Sequence, residues 1–442
     1  MANAQTRSFD LRSRLIPIGH LLSGNFMNAL IVLVSTAIAA RALGPAVYGV
    51  MVIVLSFGRL IERLVRFESW QAVIRYAAEE EITGDKQRLS RLYAFGLGVD
   101  ALAAMAAGLL SVAIAWLAGS WFDIGPGHLL LVAIYAVALV FNIAGVPNAA
   151  LRMAGQFKLL AYAQMAGNVL RIVLAAICLW LDAGVTGFMI AWTLAQLLGS
   201  LLMIWLGLRA MTHMGIPAPW RADLRGLHKA FPGFFSFAFS SNLSLTLRVI
   251  TTEADTLFVG GALGPSAAAV YYLAKRIAKV AMQVGAQVQQ VIYPDVARLW
   301  MQGAVREFRS ATLQVQAALA AVCLVMIGGA WVLGRLVIDL GLGTEYASAY
   351  PLLLTQLVAV FFTMHAAPAR SAVLAMNESW RILTYMLMGT VAFWAVAFVA
   401  VPVFGAMGAN MAHIAFAAIT AILLDIRFHR RTMPLAQAAA AR

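Results

Sequence analysis

Apolar runs long enough to cross a bilayer recur from one end of this chain to the other. A spanning helix needs about 20 mostly apolar residues. Twelve such runs can be placed: 16–40, 46–66, 91–118, 127–147, 159–181, 186–208, 231–254, 265–291, 312–336, 348–367, 381–401 and 405–426. Breaks such as Leu43-Gly44-Pro45, Asp123-Ile124-Gly125-Pro126, Asp182-Ala183-Gly184 and Leu263-Gly264-Pro265 separate them. The pattern predicts an all-α polytopic membrane protein. Hydrophobic residues make up 62% of the chain and charged residues 12%, with mean hydropathy +0.84. That balance excludes a soluble globular enzyme, a disordered chain and a disulfide scaffold. The first run follows Arg7, Arg12 and Arg14 and contains Ala37-Ile38-Ala39. At 25 residues it is longer than a signal-peptide core and reads as a spanning helix rather than a cleaved leader.

The 32 Lys and Arg exceed the 19 Asp and Glu, giving +13. In a soluble protein this would suggest nucleic acid; here the excess sorts by loop. One set of loops carries Arg75, Lys86, Arg88, Arg152, Lys158, Arg209, Arg221, Arg225, Lys229, Arg298, Arg306, Arg309 and Arg370, and the C-terminus adds Arg427, Arg430 and Arg431. The alternate loops offer Arg41 and Arg335. The asymmetry places both termini in the cytoplasm, with an even number of spans and no nucleic-acid partner. Cys178 and Cys323 lie inside apolar runs and read as small packed hydrophobes.

The halves repeat. Ala42-Leu43-Gly44-Pro45 recurs as Ala262-Leu263-Gly264-Pro265, 220 positions on. Pro147, ending the fourth run, matches Pro368, ending the tenth. Gly184-x-x-Gly187 matches Gly405-x-x-Gly408. With six spans per half, the repeat is parallel, about an axis along the membrane normal. The expected organisation is one six-helix lobe over 1–208, a cytoplasmic linker over 209–230 and a second lobe over 231–442, around a central cavity.

Ionisable residues in mid-span are costly and are functional candidates by default. In the second run Arg59, Glu62, Arg63 and Arg66 share one helical face. At about 1.5 Å per residue, Arg59 lies roughly 20 Å from the outer end, too deep to reach either surface easily. Arg66 reads as snorkelling, and Arg63 either snorkels or lines the cavity. The eighth run carries Lys275, Arg276 and Lys279, then Gln283, Gln287 and Gln290. The series 275, 279, 283, 287 makes a polar stripe that suits a hydrated cavity or a polar seam between helices. Arg59 plus 220 lands on Lys279. The seventh run has a stripe of Ser240, Ser244, Arg248, Thr251 or Thr252, and Asp255, answered in the first by His20, Gly24, Asn28 and Ser35. Its Ser and Thr also suit helix–helix contacts. Arg171, with Gln164 and Asn168, has no cationic counterpart in the eleventh run and suits either a structural pair or a cavity lining. Among carboxylates near the spans, Glu62, Glu253 and Asp255 stand out. The last two fall at the outer end of the seventh run, where they read as a solvated helix end or a site for a coupling proton or Na⁺. His365, ending the tenth run, and His413, in the twelfth, read as packed or interfacial side chains rather than a proton relay.

No phosphate-binding Gly-rich loop ending in Lys-Ser/Thr, no His-Glu-x-x-His and no Cys-x-x-Cys occurs, so neither an ATPase nor a standard metal site is encoded and no cofactor is expected. The positive intramembrane balance favours an anionic substrate group, such as a phosphate.

The stretch from Arg41 through Gly44-Pro45 to Tyr48-Gly49 resembles the first outer turn of polysaccharide-transport flippases. Asp255 to Gly264-Pro265 with Tyr271-Tyr272-Leu273-Ala274 resembles its second-half version, and Leu151-Arg152-x-x-Gly155-Gln156-Phe157-Lys158 resembles the loop before the fifth span. That family sits in the multidrug/oligosaccharidyl-lipid/polysaccharide exporter superfamily. The resemblance implies two six-helix lobes around a V-shaped cavity lined by helices one, two, seven and eight. It implies a non-enzymatic flippase in the bacterial inner membrane, moving an undecaprenyl-pyrophosphate-linked oligosaccharide to the periplasmic leaflet for O-antigen, capsule or exopolysaccharide synthesis. Its partners would be the lipid-linked substrate, membrane lipids, a proton or Na⁺, and glycan-polymerase components. Arg59, Arg248, Lys275 and Lys279 are the expected headgroup ligands. His20, Asn28, Arg63, Arg171, Ser240, Ser244, Gln283 and Gln287 are the expected cavity lining. A multidrug antiporter of the same fold, wanting more carboxylates, and a membrane enzyme of glycan assembly are the alternatives.

Overall fold

A computed structural model describes residues 12–66, 69–223, 231, 233–234, 251 and 253–438, with no side-chain description for 12–25, 79, 81–83, 284–295 and 438. Among the described residues there is no strand. Helix α1 (Arg12–Val65) is two spans joined at Gly44, whose φ of 69° and ψ of 168° are not helical. Glycine reaches that φ without a Cβ clash, and Pro45 then sits at the first position of the second arm, where its missing N–H costs nothing. After α2 (Ser69–Thr83) comes α3 (Lys86–Ala118), capped by Asp85, which accepts from the backbone N–H of Gln87 and Arg88 at 3.0 Å each. The fourth span is broken into α4 (Leu129–Val140) and α5 (Gly145–Met153). Helices α6 (Phe157–Trp180) and α7 (Gly184–His213) follow.

The second half begins, as described, with helix α8 over 253–263 and continues with α9 (Pro265–Met301), α10 (Val305–Gly341), α11 (Ala349–Ala375), α12 (Ser379–Phe404) and α13 (Ala406–Ala438). Nine stretches among the described residues are long and apolar enough to span, and the first, Phe26–Ala78, holds spans one and two. The charged α9 supplies the eighth span. Most of the seventh falls on residues outside the description.

The expected proline positions need correction. Pro147 and Pro368 do not end their spans: Pro147 lies in the first turn of α5, and Pro368 lies inside an unbroken α11. A first-turn proline has no helical donor to lose.

The repeat is written in the backbone. Left-handed φ values occur at Gly44 and Gly264 (69° and 86°), Gly84 and Gly303 (73° and 70°), Asp123 and Gly343 (57° and 105°), Gly155 and Asn377 (68° and 62°), and Gly184 and Gly405 (60° and 61°). The offsets run from 219 to 222, and each pair marks the same inter-span turn of its half. Helix pairing repeats too. The third span packs on the fourth, the fifth on the sixth, and the fourth on the sixth; α10 packs on α11, α12 on α13, and α11 on α13.

Two compact units emerge, Val34–Ala269 and the described residues of Met1–Leu33 with Val270–Arg442. The chain passes between them inside α1 and α9, not in a loop. The first unit buries Leu89, Leu92 and Tyr93 of α3 against Ala149, Ala150 and Leu151 of α5. Gly207 of α7 permits close approach, since a Cβ there would lie 2.5 Å from the Cα of Pro147. The described part of 209–230 is pinned to α3: Lys86 donates to the carbonyl of Met214, Ser90 to Pro217 and Arg91 to Asp223, each at 2.9 Å. The second unit has a core of Ala366, Ala369, Val373, Ala421 and Leu424.

Candidate functional site

In the unit Val34–Ala269, Arg59 of the second span reaches Glu253 of α8. Its Nε donates to Oε2 at 3.0 Å, and one Nη donates to the Ser56 hydroxyl at 2.9 Å. Both side chains are mostly buried. This shifts the depth assigned to the seventh span. The acids interrupt the apolar pattern near residue 254, yet the helix continues to 263. Ten residues at about 1.5 Å each put Glu253 roughly 15 Å below the Gly264 turn, near the depth of Arg59. Asp255 is not a solvated end either: it is 1% exposed, and its Oδ1 accepts from the Thr256 N–H at 2.6 Å and the Thr256 hydroxyl at 3.1 Å.

Other spans converge on this pair. Gly58, one residue before Arg59, faces the Tyr135 ring of α4, which a Cβ would meet at 2.6 Å. The Tyr135 hydroxyl donates to Oε1 of Gln196 on α7 at 3.4 Å and lies in the electrostatic field of Arg59, Glu62, Arg171 and Glu253. Arg171 of α6 stacks over Trp192 at 5.7 Å. Spans two, four, five, six and seven thus bring polar groups into one neighbourhood, including an Arg171 that the repeat alone leaves unassigned.

One turn further along α1, Glu62 accepts from Arg66 at 3.0 Å and from Asn142 at 2.6 Å. Arg63 is exposed. Beside Glu62 a cavity of about 10 Å³, roughly one water, is lined by Glu62, Arg66, Asp100 and Asn142. Asp100, a carboxylate inside the third span, is 5% exposed; it accepts from the Ser69 hydroxyl and, at 2.9 Å, from the Val146 N–H. It satisfies the donor freed where the fourth span breaks.

Among the described residues, the second unit holds the other candidate cations. Lys275 is half-buried with its Nζ 5.2 Å from the centroid of the buried Tyr271; Arg276 stacks on Tyr272 at 5.9 Å. Lys279 is exposed and Gln283 half-buried, so this stripe lies opposite the buried Ala274, Ala278 and Ala281. Asn28 is half-buried. Arg248, Ser240 and Ser244 lie outside the described residues, as do the side chains of His20 and Gln287. His365 is not merely packed: its Nε2 stands 2.8 Å from Oδ2 of Asp425, whose Oδ1 accepts from Gln316 at 2.8 Å. Spans nine, ten and twelve meet there. Asp100 and Asp425 sit inside apolar runs, and that interruption is the signal by which the sequence could have flagged them.

Residues 38–351 match the family described as "Polysaccharide biosynthesis protein". The inner membrane protein YghQ of Escherichia coli (strain K12) is 25% identical over 338 residues, covering 75% of this chain and 93% of that protein. An inward-facing multidrug resistance MATE family transporter of the MOP superfamily aligns with a TM-score of 0.72 at 17% identity, over 92% of this chain and 96% of its own. The lipid II flippase MurJ, in an inward closed conformation, aligns at 0.73 and 12% identity, over 91% and 86%. The chain therefore has the two-lobed helical fold of these multi-pass membrane transporters, and it belongs to the polysaccharide biosynthesis protein family.

Proposed function

We propose that the protein is a flippase of the inner membrane that moves an undecaprenyl-pyrophosphate-linked oligosaccharide from the cytoplasmic to the periplasmic leaflet. The observation that carries this reading is the Arg59–Glu253 pair, a guanidinium held deep in the spans by a carboxylate it can exchange. A pyrophosphate crossing about 30 Å of hydrocarbon needs compensating charge. Arg59, with Arg248, Lys275 and Lys279, would supply it, the substrate anion taking the place of Glu253. Protonation of Glu253 would free Arg59 for the same purpose, which makes Glu253, rather than the buried Asp255, the favoured coupling group. The expected lobes, 1–208 and 231–442 joined by 209–230, would rock by alternating access with both termini in the cytoplasm. The lipid-linked glycan would pass to polymerase components. The family match and the MurJ-like fold support transport over catalysis.

A multidrug antiporter is the second reading, favoured by the MATE-like fold and by Glu62 and Asp100 beside the small cavity. Deleting the gene separates the two. Accumulation of one lipid-linked oligosaccharide on the cytoplasmic leaflet supports the flippase; unchanged glycan with raised drug sensitivity refutes it.

A further inference from the structure

Glu378, between α11 and α12, is one carboxylate shared by three arginines. Arg427 of α13 grips it as a fork, Nε to Oε2 and Nη2 to Oε1, both at 2.5 Å. Arg431 Nε reaches Oε1 at 3.1 Å, and Arg381 Nε lies 3.4 Å from Oε2. The local balance is two positive charges in excess. Each guanidinium carries five N–H donors, far more than two carboxylate oxygens can accept. Arg381 and Arg431 are both about half exposed, at 51% and 54%, while Glu378 is 12% exposed. The four residues, with Trp380, Thr384 and Tyr385, line an open pocket of about 550 Å³.

The pocket continues into an apolar track. On α12, Trp380, Leu387, Val391 and Phe398 fall on one helical face and are 74%, 40%, 69% and 61% exposed. From 380 to 398 that face runs about 27 Å, close to the thickness of the hydrocarbon core. A free anion would need the arginines alone; a cationic pocket opening onto an apolar track has the shape of a headgroup with its chain. We propose that this pocket binds the phosphate of an anionic phospholipid, with an acyl chain lying along the Trp380–Val391 part of that face, about the depth of one leaflet. The loop charges put it at the cytoplasmic headgroup level, where basic pockets between helices meet acidic lipid. None of these residues belongs to the transport site.

The test is native mass spectrometry of the delipidated full-length protein, titrated with dioleoyl-phosphatidylglycerol, with dioleoyl-phosphatidylcholine as the neutral probe and inorganic phosphate as competitor. Phosphatidylglycerol adducts are expected at about tenfold lower lipid than phosphatidylcholine adducts, and R381Q/R431Q should erase that difference. V391N should weaken phosphatidylglycerol binding without touching the arginines. Arg427 and Glu378 stay intact, and the single variants R381Q and R431Q, each expected to lose part of the preference, decide the matter if the double variant unfolds. Equal binding of the two lipids, or an unchanged preference in the arginine variants, overturns the proposal. Displacement by inorganic phosphate together with no effect of V391N assigns a free-anion site instead and also overturns it.

Discussion

Arg59 and Glu253 are 194 positions apart in sequence and 3.0 Å apart in space. The pair ties the second span to the seventh and holds a cation and its counter-ion at one depth. A double-mutant cycle separates its structural role from the transport role proposed for it. R59Q and E253Q each break a mostly buried ion pair and should lower thermal stability, and the double variant should lose less than the sum of the two. Transport should not recover. Without the guanidinium, flipping should fall about 10- to 100-fold, read as lipid-linked oligosaccharide retained on the cytoplasmic leaflet. Normal export by R59Q/E253Q would remove Arg59 from the site.

The left-handed turns give a prediction about the repeat. Gly84 and Gly303 have φ of 73° and 70°, with open space where a Cβ would stand. Alanine at either should cost about 1–2 kcal/mol through backbone strain alone. Asparagine should cost less, because its side chain tolerates this conformation. Melting temperatures of the four variants in detergent check both the size and the equality of the two halves.

His365, Asp425 and Gln316 brace spans nine, ten and twelve. Asp425→Ala should destabilise the second unit by about 1.5–3 kcal/mol, the worth of a charged hydrogen bond. Asp425→Asn keeps an acceptor and should cost less. A melt in which both variants match wild type would deny the brace.

Arg427 beside Glu378 holds that carboxyl below its ordinary value of 4.5. A lowered folded-state value stabilises above 4.5 and is lost as pH falls through the lowered value. Glu378→Gln should therefore lower the melting temperature at pH 7. The gap from wild type should close on acidification below pH 4.5. A gap independent of pH would exclude the ionised pair as its source.

The loop charges predict a cytoplasmic C-terminus. A reporter fused after Arg442 should be active in the cytoplasm, and periplasmic activity would overturn the orientation.

Much of the fold was legible because hydrocarbon enforces a simple rule: long apolar runs become helices, and Gly-Pro pairs such as 44–45 and 264–265 become turns. Arg59 was legible as an outlier inside such a run. Its partner was not, because Glu253 looks like a span end until the helix is seen to continue to 263. Asp100 could be seen as an interruption of its run, but its role was hidden for a related reason. Its role is to satisfy a backbone break in the fourth span, and nothing local to residue 100 announces a break at 141–144. Pro147 and Pro368 suggested equivalent span ends, but one follows a break and the other sits in an intact helix.

The paired turns also bear on ancestry. Asp123 answers Gly343, and Gly155 answers Asn377, each pair with positive φ at the same inter-span turn. The residue type differs between the halves, and at Asp123 and Gly343 so does ψ (29° against 156°), while the positive φ recurs at the same turn. A six-span ancestor, doubled once, would leave such a trace after its side-chain chemistry had diverged. Relatives too distant for sequence comparison could then be recognised by five kinks at a spacing of about half a chain.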